Sequence, residues 1–162
     1  MSTKQFSSLD AIDLRLLSLL QEDGRSGYQE LGDAIGLSGP SAYQRVRKLE
    51  GAGVIVGYHA RIDPSRLGRG LVAFLRVRPA SGDVGRLAKQ WAAAGDILEC
   101  HRVSTDGGFL LKLRVRDVSA LLPHAEAIQK SGCAVQVDIV LSTEFERWTL
   151  SAPEAARQLD HR

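Results

Sequence analysis

Residues 28–49 read YQELGDAIGLSGPSAYQRVRKL and contain two short apolar repeats separated by GLS at 36–38. In the first repeat, apolar residues recur from Tyr28 to Ile35 at the spacing of a helix face. Gly36 follows at once, and glycine is the residue that most often ends a helix. The pattern therefore predicts a short helix that stops just before a tight turn.

The second repeat carries the start signals of another helix. Ser38 is a suitable N-cap, and Pro40 falls in the first turn, where its missing N–H costs little. Ala42, Val46 and Leu49 then share one face, so we expect them to point into a core. Two helices joined by such a turn predict a helix-turn-helix, a motif whose second helix enters the major groove of DNA.

The opposite face of this second helix is polar and carries the candidate DNA contacts. We expect Gln44 and Arg45 to read base edges, because the N-terminal half of such a helix enters the groove most deeply. Arg47 and Lys48 are expected to contact phosphates. A solvated face with no partner is the alternative, and the helix-turn-helix spacing favours DNA. The residues predicted to bind DNA are Ser38, Ser41, Gln44, Arg45, Arg47 and Lys48.

An additional helix is predicted upstream, over residues 9–21, where LDAIDLRLLSLLQ has apolar residues at helical spacing. Asp10 and Asp13 lie near the positive end of its dipole. Downstream, residues 54–62 are rich in β-prone side chains and predict a linking strand. The turn-rich segment 64–70, PSRLGRG, is the best connector between two domains.

The remaining sequence alternates strand and helix patterns in the order β-α-β-β-α-β, which is typical of a ferredoxin-like domain. The predicted helices start near Val84 and at 119–130, with Ser119 as the cap of the second. The predicted strands are 71–77, 97–103, 109–115 and 135–141. The fold class is therefore α+β, and the predicted limits are 1–63 for the helix-turn-helix domain with its strand, 64–70 for the connector, 71–150 for the second domain and 151–162 for a polar tail.

Composition indicates a globular chain, because 44% of its 162 residues are hydrophobic and 25% are charged. It has no apolar run of about 20 residues and no signal-peptide core, so we expect a cytoplasmic protein without membrane contact. Cys100 and Cys133 are expected to be buried, reduced thiols. The scattered histidines and cysteines have no metal-ligand spacing, and neither a metal nor a cofactor is predicted.

Net charge does not by itself indicate a nucleic-acid partner. The chain carries +2 overall, and residues 1–63 hold seven Lys/Arg against eight Asp/Glu, a net of −1. If DNA is bound, the local placement of cations must account for it.

From about Leu9 to Leu141 the sequence resembles the Lrp/AsnC family, the feast/famine regulators. Three segments carry the resemblance. They are LDAIDLRLLSLLQEDGR at 9–25, ELGDAIGLSGPSAYQRVRKLEGAGVIVGYHARIDPSRLG at 30–68 and ILECHRVSTDGGFLLKLRVRDVSAL at 97–121.

The resemblance implies a transcriptional regulator of amino-acid or related metabolism with a winged-type helix-turn-helix that binds double-stranded DNA. It further implies that the C-terminal ferredoxin-like βαββαβ domain mediates assembly and response to a small-molecule effector, usually an amino acid. Members of the family form homodimers through the sheet, and commonly octameric rings of four dimers. The effector binds between dimers, near the loop that joins the second and third strands.

That loop departs from the family pattern, which commonly reads Ser-Gly-Asp-aromatic-Asp-aromatic, whereas residues 104–109 read STDGGF. Asp106 and Phe109 keep the chemistry of the family, but the second acidic residue is lost. Either the pocket is retuned to a different small molecule, or the loop has only a structural role. The residues predicted to bind the effector are Thr105, Asp106, Gly107, Gly108 and Phe109.

Two further functions compete with that of an effector-regulated protein. An architectural DNA-binding protein would share the helix-turn-helix but would not respond to a ligand. An enzyme that resembles sirohaem-pathway decarboxylases would use His101 and Arg102 beside a tetrapyrrole carboxylate. No paired carboxylates or nucleophile–base arrangement stands out, so the sequence predicts no enzyme.

Overall fold

The computed structural model describes residues 9–80, 84–104 and 107–150, which divide into two compact units. Among them, the first unit contains 9–60 together with 145–150, and the second is Arg61–Glu144. No helix in these ranges has the length and apolar character needed to cross a membrane. The tail predicted at 151–162 lies outside the described residues.

The first unit is built on three helices, α1 (Ala11–Glu22), α2 (Tyr28–Ile35) and α3 (Gly39–Gly51). All three predicted helices are confirmed. Helix α2 ends at Gly36, whose φ of +72° is the left-handed conformation that favours glycine. Helix α3 begins at Ser38, whose Oγ accepts the N–H of Ser41 at 3.3 Å.

The three helices share a small apolar core. The predicted inward face of α3 is confirmed, because none of its three apolar residues is more than 3% exposed. Ala42 and Val46 pack with Leu16 of α1 and Leu31 of α2. The fully buried core members are Leu16, Leu31, Ala42 and Val46, and Leu49 is 3% exposed.

Two glycines allow α2 and α3 to approach closely at the turn. A Cβ on Gly32 would lie 2.7 Å from the carbonyl oxygen of Leu37, and one on Gly39 would lie 2.8 Å from Oε1 of Gln29. No side chain fits at Gly32 without a shift of the backbone. The GLS turn of the sequence thus depends on glycines on both sides of it.

Residues 145–150 also belong to the first unit, although they follow the second unit in sequence. The side-chain amide of Gln21 donates from Nε2 to the carbonyl of Leu150 at 3.1 Å. In return, the N–H of Leu150 donates to Oε1 of Gln21 at 2.6 Å. The side chain of Gln21, near the end of α1, is therefore hydrogen-bonded to both the N–H and the carbonyl of Leu150, which lies 129 positions later in the sequence.

The second unit is a four-stranded antiparallel sheet with two helices, in the predicted βαββαβ order. The strands are ordered β2-β3-β1-β4 in the sheet. The elements are β1 (Leu71–Pro79), α4 (Val84–Ala92), β2 (Ile97–Arg102), β3 (Phe109–Val115), α5 (Val118–Lys130) and β4 (Cys133–Ile139).

The two faces of this sheet differ. On one face, Leu75 lies opposite Leu111, and both are fully buried beneath Trp91 of α4 and Leu121 of α5. The other face carries residues that alternate with these along each strand. Within the second unit, α4 and α5 pack on the buried face, and we call the other face the open face. Its members on β1, β3 and β4 are Phe74, Arg76, Leu110, Lys112, Gln136 and Asp138.

Three local expectations are wrong. Residues 54–62 form no strand, and Val56 is 92% exposed, because β-prone residues gain little without a partner strand. Asp117, not Ser119, caps α5: its carboxylate accepts both the N–H of Ala120 and the hydroxyl of Ser119. Cys100 is exposed because β2 is an edge strand, whereas Cys133 is buried as expected.

Candidate nucleic-acid interface

The outer face of α3 is polar and exposed. Ser41, Gln44, Arg47 and Lys48 are all exposed, on the side opposite the buried apolar stripe of the helix. The hydroxyls of Ser38 and Ser41 lie 2.9 Å apart at its first turn. The structure therefore brings five of the six predicted DNA-binding residues onto one accessible surface.

Arg45, the sixth of these residues, is turned toward α1. Its Nη1 lies 2.7 Å from Oδ2 of Asp10 and 2.7 Å from Oδ1 of Asp13. The side chain of Asp13 is only 7% exposed, whereas that of Arg45 is 31% exposed. Arg45 thus supplies the counter-charge of a buried carboxylate, and its guanidinium is engaged within the unit.

The two aspartates also form the cap of α1. The N–H of Asp13 donates to Oδ1 of Asp10 at 2.8 Å, and the N–H of Asp10 donates to Oδ2 of Asp13 at 3.2 Å. Partial burial would raise the pKa of Asp10, but the hydrogen bonds from Asp13 and Arg45 hold the pKa of this carboxyl below its ordinary value. This Asp10–Asp13–Arg45 network fixes the start of α1 against the middle of α3.

The network was missed in the sequence, although a signal for it was present. Asp13 lies within the apolar stripe of the first helix, three residues before Leu16. A carboxylate in such a position must be paired or hydrogen-bonded when it is buried. The sequence did not show that this partner is Arg45, which we had expected to read a base edge.

Arg47 has a weaker local partner. Its Nη1 lies 2.8 Å from Oε2 of Glu50, one turn further along α3, and its side chain is 62% exposed. Such exposed ion pairs contribute little to stability because water and salt screen them, so a phosphate can displace the carboxylate. Arg47 therefore stays available to an anion in a way that Arg45 does not.

The aromatic residues of the two helices also meet beside this face. Tyr28 of α2 and Tyr43 of α3 pack edge to face, with ring centroids 5.1 Å apart and planes at 80°. Each of them is 40–42% exposed. The pair therefore joins α2 to α3 beside the polar face, a contact that the helical pattern of either repeat alone does not predict.

The loop predicted to bind an effector is described in part. Thr105 and Asp106 lie outside the described residues. Gly107 has a φ of +62°, and the carbonyl of Gly108 accepts the N–H of Val103 at 2.9 Å. Phe109 is 5% exposed and packs edge to face on Trp91, with centroids 5.3 Å apart.

The Phe109 ring thus belongs to the core beneath the loop and is not presented on the loop surface.

On the open face, Nε2 of His101 lies 3.0 Å from Glu99, which also accepts from Lys112 at 3.1 Å. Across the ranges that the structure describes, no cluster of three or more His, Cys, Asp or Glu could hold a metal ion.

Comparison with known proteins links both units to one family of proteins. Residues 9–50 match the AsnC-type helix-turn-helix domain, and residues 72–147 match the Lrp/AsnC ligand binding domain. The HTH-type transcriptional regulator YezC of Bacillus subtilis is 39% identical over 117 residues, which are 70% of this chain and 80% of that protein. The leucine-responsive regulatory protein of Salmonella typhimurium is 41% identical over 116 residues, which cover 69% of this chain and 70% of that protein.

Solved structures give the same relationship. The feast or famine regulatory protein of M. tuberculosis complexed with L-methionine superposes with a TM-score of 0.82 and 30% identity, over 90% of this chain and 100% of that chain. A transcriptional regulator of Neisseria meningitidis in complex with L-methionine superposes with a TM-score of 0.79 and 29% identity, over 90% and 97% of the two chains.

The Asp10–Asp13–Arg45 network predicts a specific loss of stability. Arg45→Ala leaves the buried Asp13 without its counter-charge, so we expect the free energy of unfolding to fall by about 2 kcal/mol. That value is below the usual cost of an unpaired buried charge because Arg45 is partly exposed. Urea denaturation followed by circular dichroism measures the change.

Arg47→Ala is the matched control, since it removes an arginine from an exposed pair on the same helix and should lower the free energy of unfolding much less than Arg45→Ala does. Asp13→Asn added to Arg45→Ala should recover part of the loss, because the unpaired charge is then absent. Equal stability of the Arg45→Ala and Arg47→Ala variants would contradict the role given to Arg45.

Proposed function

Because the chain belongs to the Lrp/AsnC family of transcriptional regulators, we propose that α3 binds double-stranded DNA in the major groove and that the second unit binds a free amino acid. The observation that carries the first part is the exposed polar face of α3, which lies opposite the buried Ala42, Val46 and Leu49. We place this activity in the cytoplasm, where the DNA of a bacterium or archaeon lies, and assign the chain no enzymatic activity.

Each residue of that face has a distinct role in the proposal. Gln44 reads a base edge, since a carboxamide can pair bidentately with adenine in the major groove. Arg47 and Lys48 contact phosphates, and Ser38 and Ser41 face the backbone at the start of the helix. We assign Arg45 to holding α3 in place, because two carboxylates already engage its guanidinium.

The near-neutral charge of the chain fits a protein that binds DNA as a dimer. A net charge of +2 gives each subunit only a weak general attraction for DNA. Two or more α3 helices on one assembly would engage successive half-sites, and linked binding raises the overall affinity without new contacts. The proposal therefore includes a homodimer, and a ring of dimers as in the family.

The open face is the surface we assign to the dimer. Phe74 and Leu110 form its apolar centre, in a shallow depression that Arg76, Gln136 and Asp138 also line. Arg76 is paired with Asp138 at 2.9 Å, so the centre is bordered by a satisfied ion pair. An apolar centre with a polar rim is the usual composition of a protein interface.

The proposed effector site is the loop between β2 and β3. Two structural relatives hold L-methionine, which supports an amino acid as the class of ligand. In this chain the carboxylate of Asp106 is the group that would take the ammonium of the ligand, with Thr105 supplying a hydroxyl. Gly107 and Gly108 would offer backbone N–H groups to its carboxylate, and Phe109 would support the loop from the core.

Substitution of α3 should separate base reading from phosphate contact. Gln44→Ala should cost about 1–3 kcal/mol on the preferred sequence and relax the preference at one base pair. Lys48→Ala should weaken binding on all sequences and reduce the slope of log affinity against log salt by about 1. Fluorescence anisotropy on a selected operator and on a shuffled duplex measures both effects.

Lys130→Ala is the matched control for Lys48→Ala. Lys130 ends α5 in the second unit and is 79% exposed beside Glu126. The Lys130→Ala variant should therefore keep the wild-type affinity for DNA and the wild-type slope of log affinity against log salt. If Lys48→Ala behaves like Lys130→Ala and Gln44→Ala keeps the original sequence preference, α3 is not the reading helix.

A charge at the centre of the open face should break the dimer. Phe74→Glu places a carboxylate where two copies would meet, so we expect a monomer by light scattering at concentrations where the wild-type chain is dimeric. Leu122→Glu is the control, because Leu122 is a 53% exposed residue on α5 and not on the open face. Dimers that persist in Phe74→Glu, with the fold intact by circular dichroism, would rule out this interface.

A panel of amino acids tests the effector assignment. A ligand that binds only the folded state stabilises it by about 2.7 kcal/mol at one hundred times its Kd, so a raised Tm is expected with at least one L-amino acid. Its D-enantiomer is the ligand control, and Asp106→Asn should abolish the shift. A panel without any shift would favour the effector-insensitive architectural protein.

A further inference from the structure

Glu50 is shared between two donors near the end of α3. Its Oε2 lies 2.8 Å from Nη1 of Arg47, and its Oε1 accepts the hydroxyl of Tyr58 at 3.1 Å. The Glu50 side chain is 24% exposed, so it is the more enclosed member of its pair with Arg47. One carboxylate thus connects an arginine of the outer face with a residue beyond the helix.

Tyr58 lies in the irregular segment that follows α3 and leads, along the chain, to the second unit. Its ring packs beside the turn between α1 and α2, where a Cβ on Gly24 would lie 3.4 Å from Cδ1 of the ring. Burial and the hydrogen bond to Glu50 raise the pKa of Tyr58 to about 12. The hydroxyl therefore stays protonated and remains a donor throughout the physiological range of pH.

Arg47 makes one contact with this carboxylate, although a guanidinium and a carboxylate can pair through two parallel hydrogen bonds. The second oxygen of Glu50 is the one that Tyr58 occupies. The hydrogen bond from Tyr58 fixes the orientation of the carboxylate, with one oxygen toward Arg47. Without that hydroxyl, the carboxylate can rotate to present both oxygens to Arg47 and hold it more strongly. A DNA phosphate would then have to displace a bidentate ion pair to reach Arg47, instead of the monodentate pair that the structure shows.

We propose that Tyr58 is a positioning residue for DNA binding: its hydrogen bond orients the Glu50 carboxylate so that Glu50 binds Arg47 through one oxygen, and this keeps the arginine available to a phosphate. The inference rests on the proposed DNA binding by α3. It gives the irregular segment that follows α3 within the first unit an electrostatic effect on the DNA-binding face. A movement that withdraws Tyr58 would weaken binding without any change in α3 itself.

Tyr58→Phe tests the inference, because it removes the hydroxyl and keeps the ring beside Gly24. We expect affinity for DNA to fall roughly two- to tenfold, the effect of one hydrogen bond. The slope of log affinity against log salt should also fall toward that of Arg47→Ala, since one phosphate contact is withheld. A purely structural role of the ring would move neither quantity in Tyr58→Phe.

The backgrounds Arg47→Ala and Glu50→Gln make the test specific. In either background, adding Tyr58→Phe should not change the affinity for DNA, because the ion pair between Glu50 and Arg47 is already absent. Glu50→Gln alone should tighten binding, and by more than it does in the Arg47→Ala background, because only the difference between the two reports the release of Arg47. Glu50→Gln also serves as the second variant if Tyr58→Phe does not fold.

The outcomes separate this inference from the proposed function. The role of Tyr58 alone is overturned if Tyr58→Phe weakens DNA binding equally in the wild-type and Arg47→Ala backgrounds. It is also overturned if Tyr58→Phe leaves affinity and salt slope unchanged while Arg47→Ala lowers both. A Glu50→Gln variant that binds no more tightly than wild type also overturns it. Absence of DNA binding by the wild-type chain overturns the proposed function itself.

Discussion

A buried carboxylate determines the architecture of the first unit. Asp13 lies in the apolar stripe of α1 with a side chain only 7% exposed, and a charge in that position requires a partner. Arg45 meets this requirement from α3, and the same guanidinium contacts Asp10 at the cap of α1. The rotation of α3 about its own axis is thereby fixed. With Arg45 directed at α1, Val46 must face the core and Gln44 must face outward, so the surface assigned to DNA follows from the pairing of one internal charge.

The second unit is governed by a different asymmetry. Its sheet has one face filled by the side chains of α4 and α5, and an open face whose apolar centre is Phe74 and Leu110. In our proposal a second copy of the chain covers this surface and removes its apolar centre from water. Assembly and DNA binding are therefore physically connected in our proposal, because a nearly neutral reading unit needs a second one to bind tightly.

The parts of the fold that were predicted from the sequence are those encoded by local patterns. Apolar spacing and glycine stops located α1, α2 and α3, and the alternation of strands and helices gave the βαββαβ order. The engagement of Arg45 was not predicted, because its partners lie 32 and 35 residues away and helix phase describes only one helix at a time. The burial of Phe109 was predictable in principle, since it shares the parity of the buried Leu111 and Leu113 along β3. A strand at 54–62 was expected from propensity alone, and propensity does not supply the neighbouring strand that a ladder needs.

The hydrogen bonds between Gln21 and Leu150 bear on how the chain is made. The two residues are 129 positions apart, which at about 5–20 residues per second separates their synthesis by roughly 6–26 seconds. The three helices of the first unit leave the ribosome early and can pack around Leu16 and Val46 at once. The contact at the end of α1 has to wait until the whole sheet of the second unit has been translated. A chain released before Leu150 would contain every helix and strand that the structure describes and still lack the bonds that join residues 145–150 to α1.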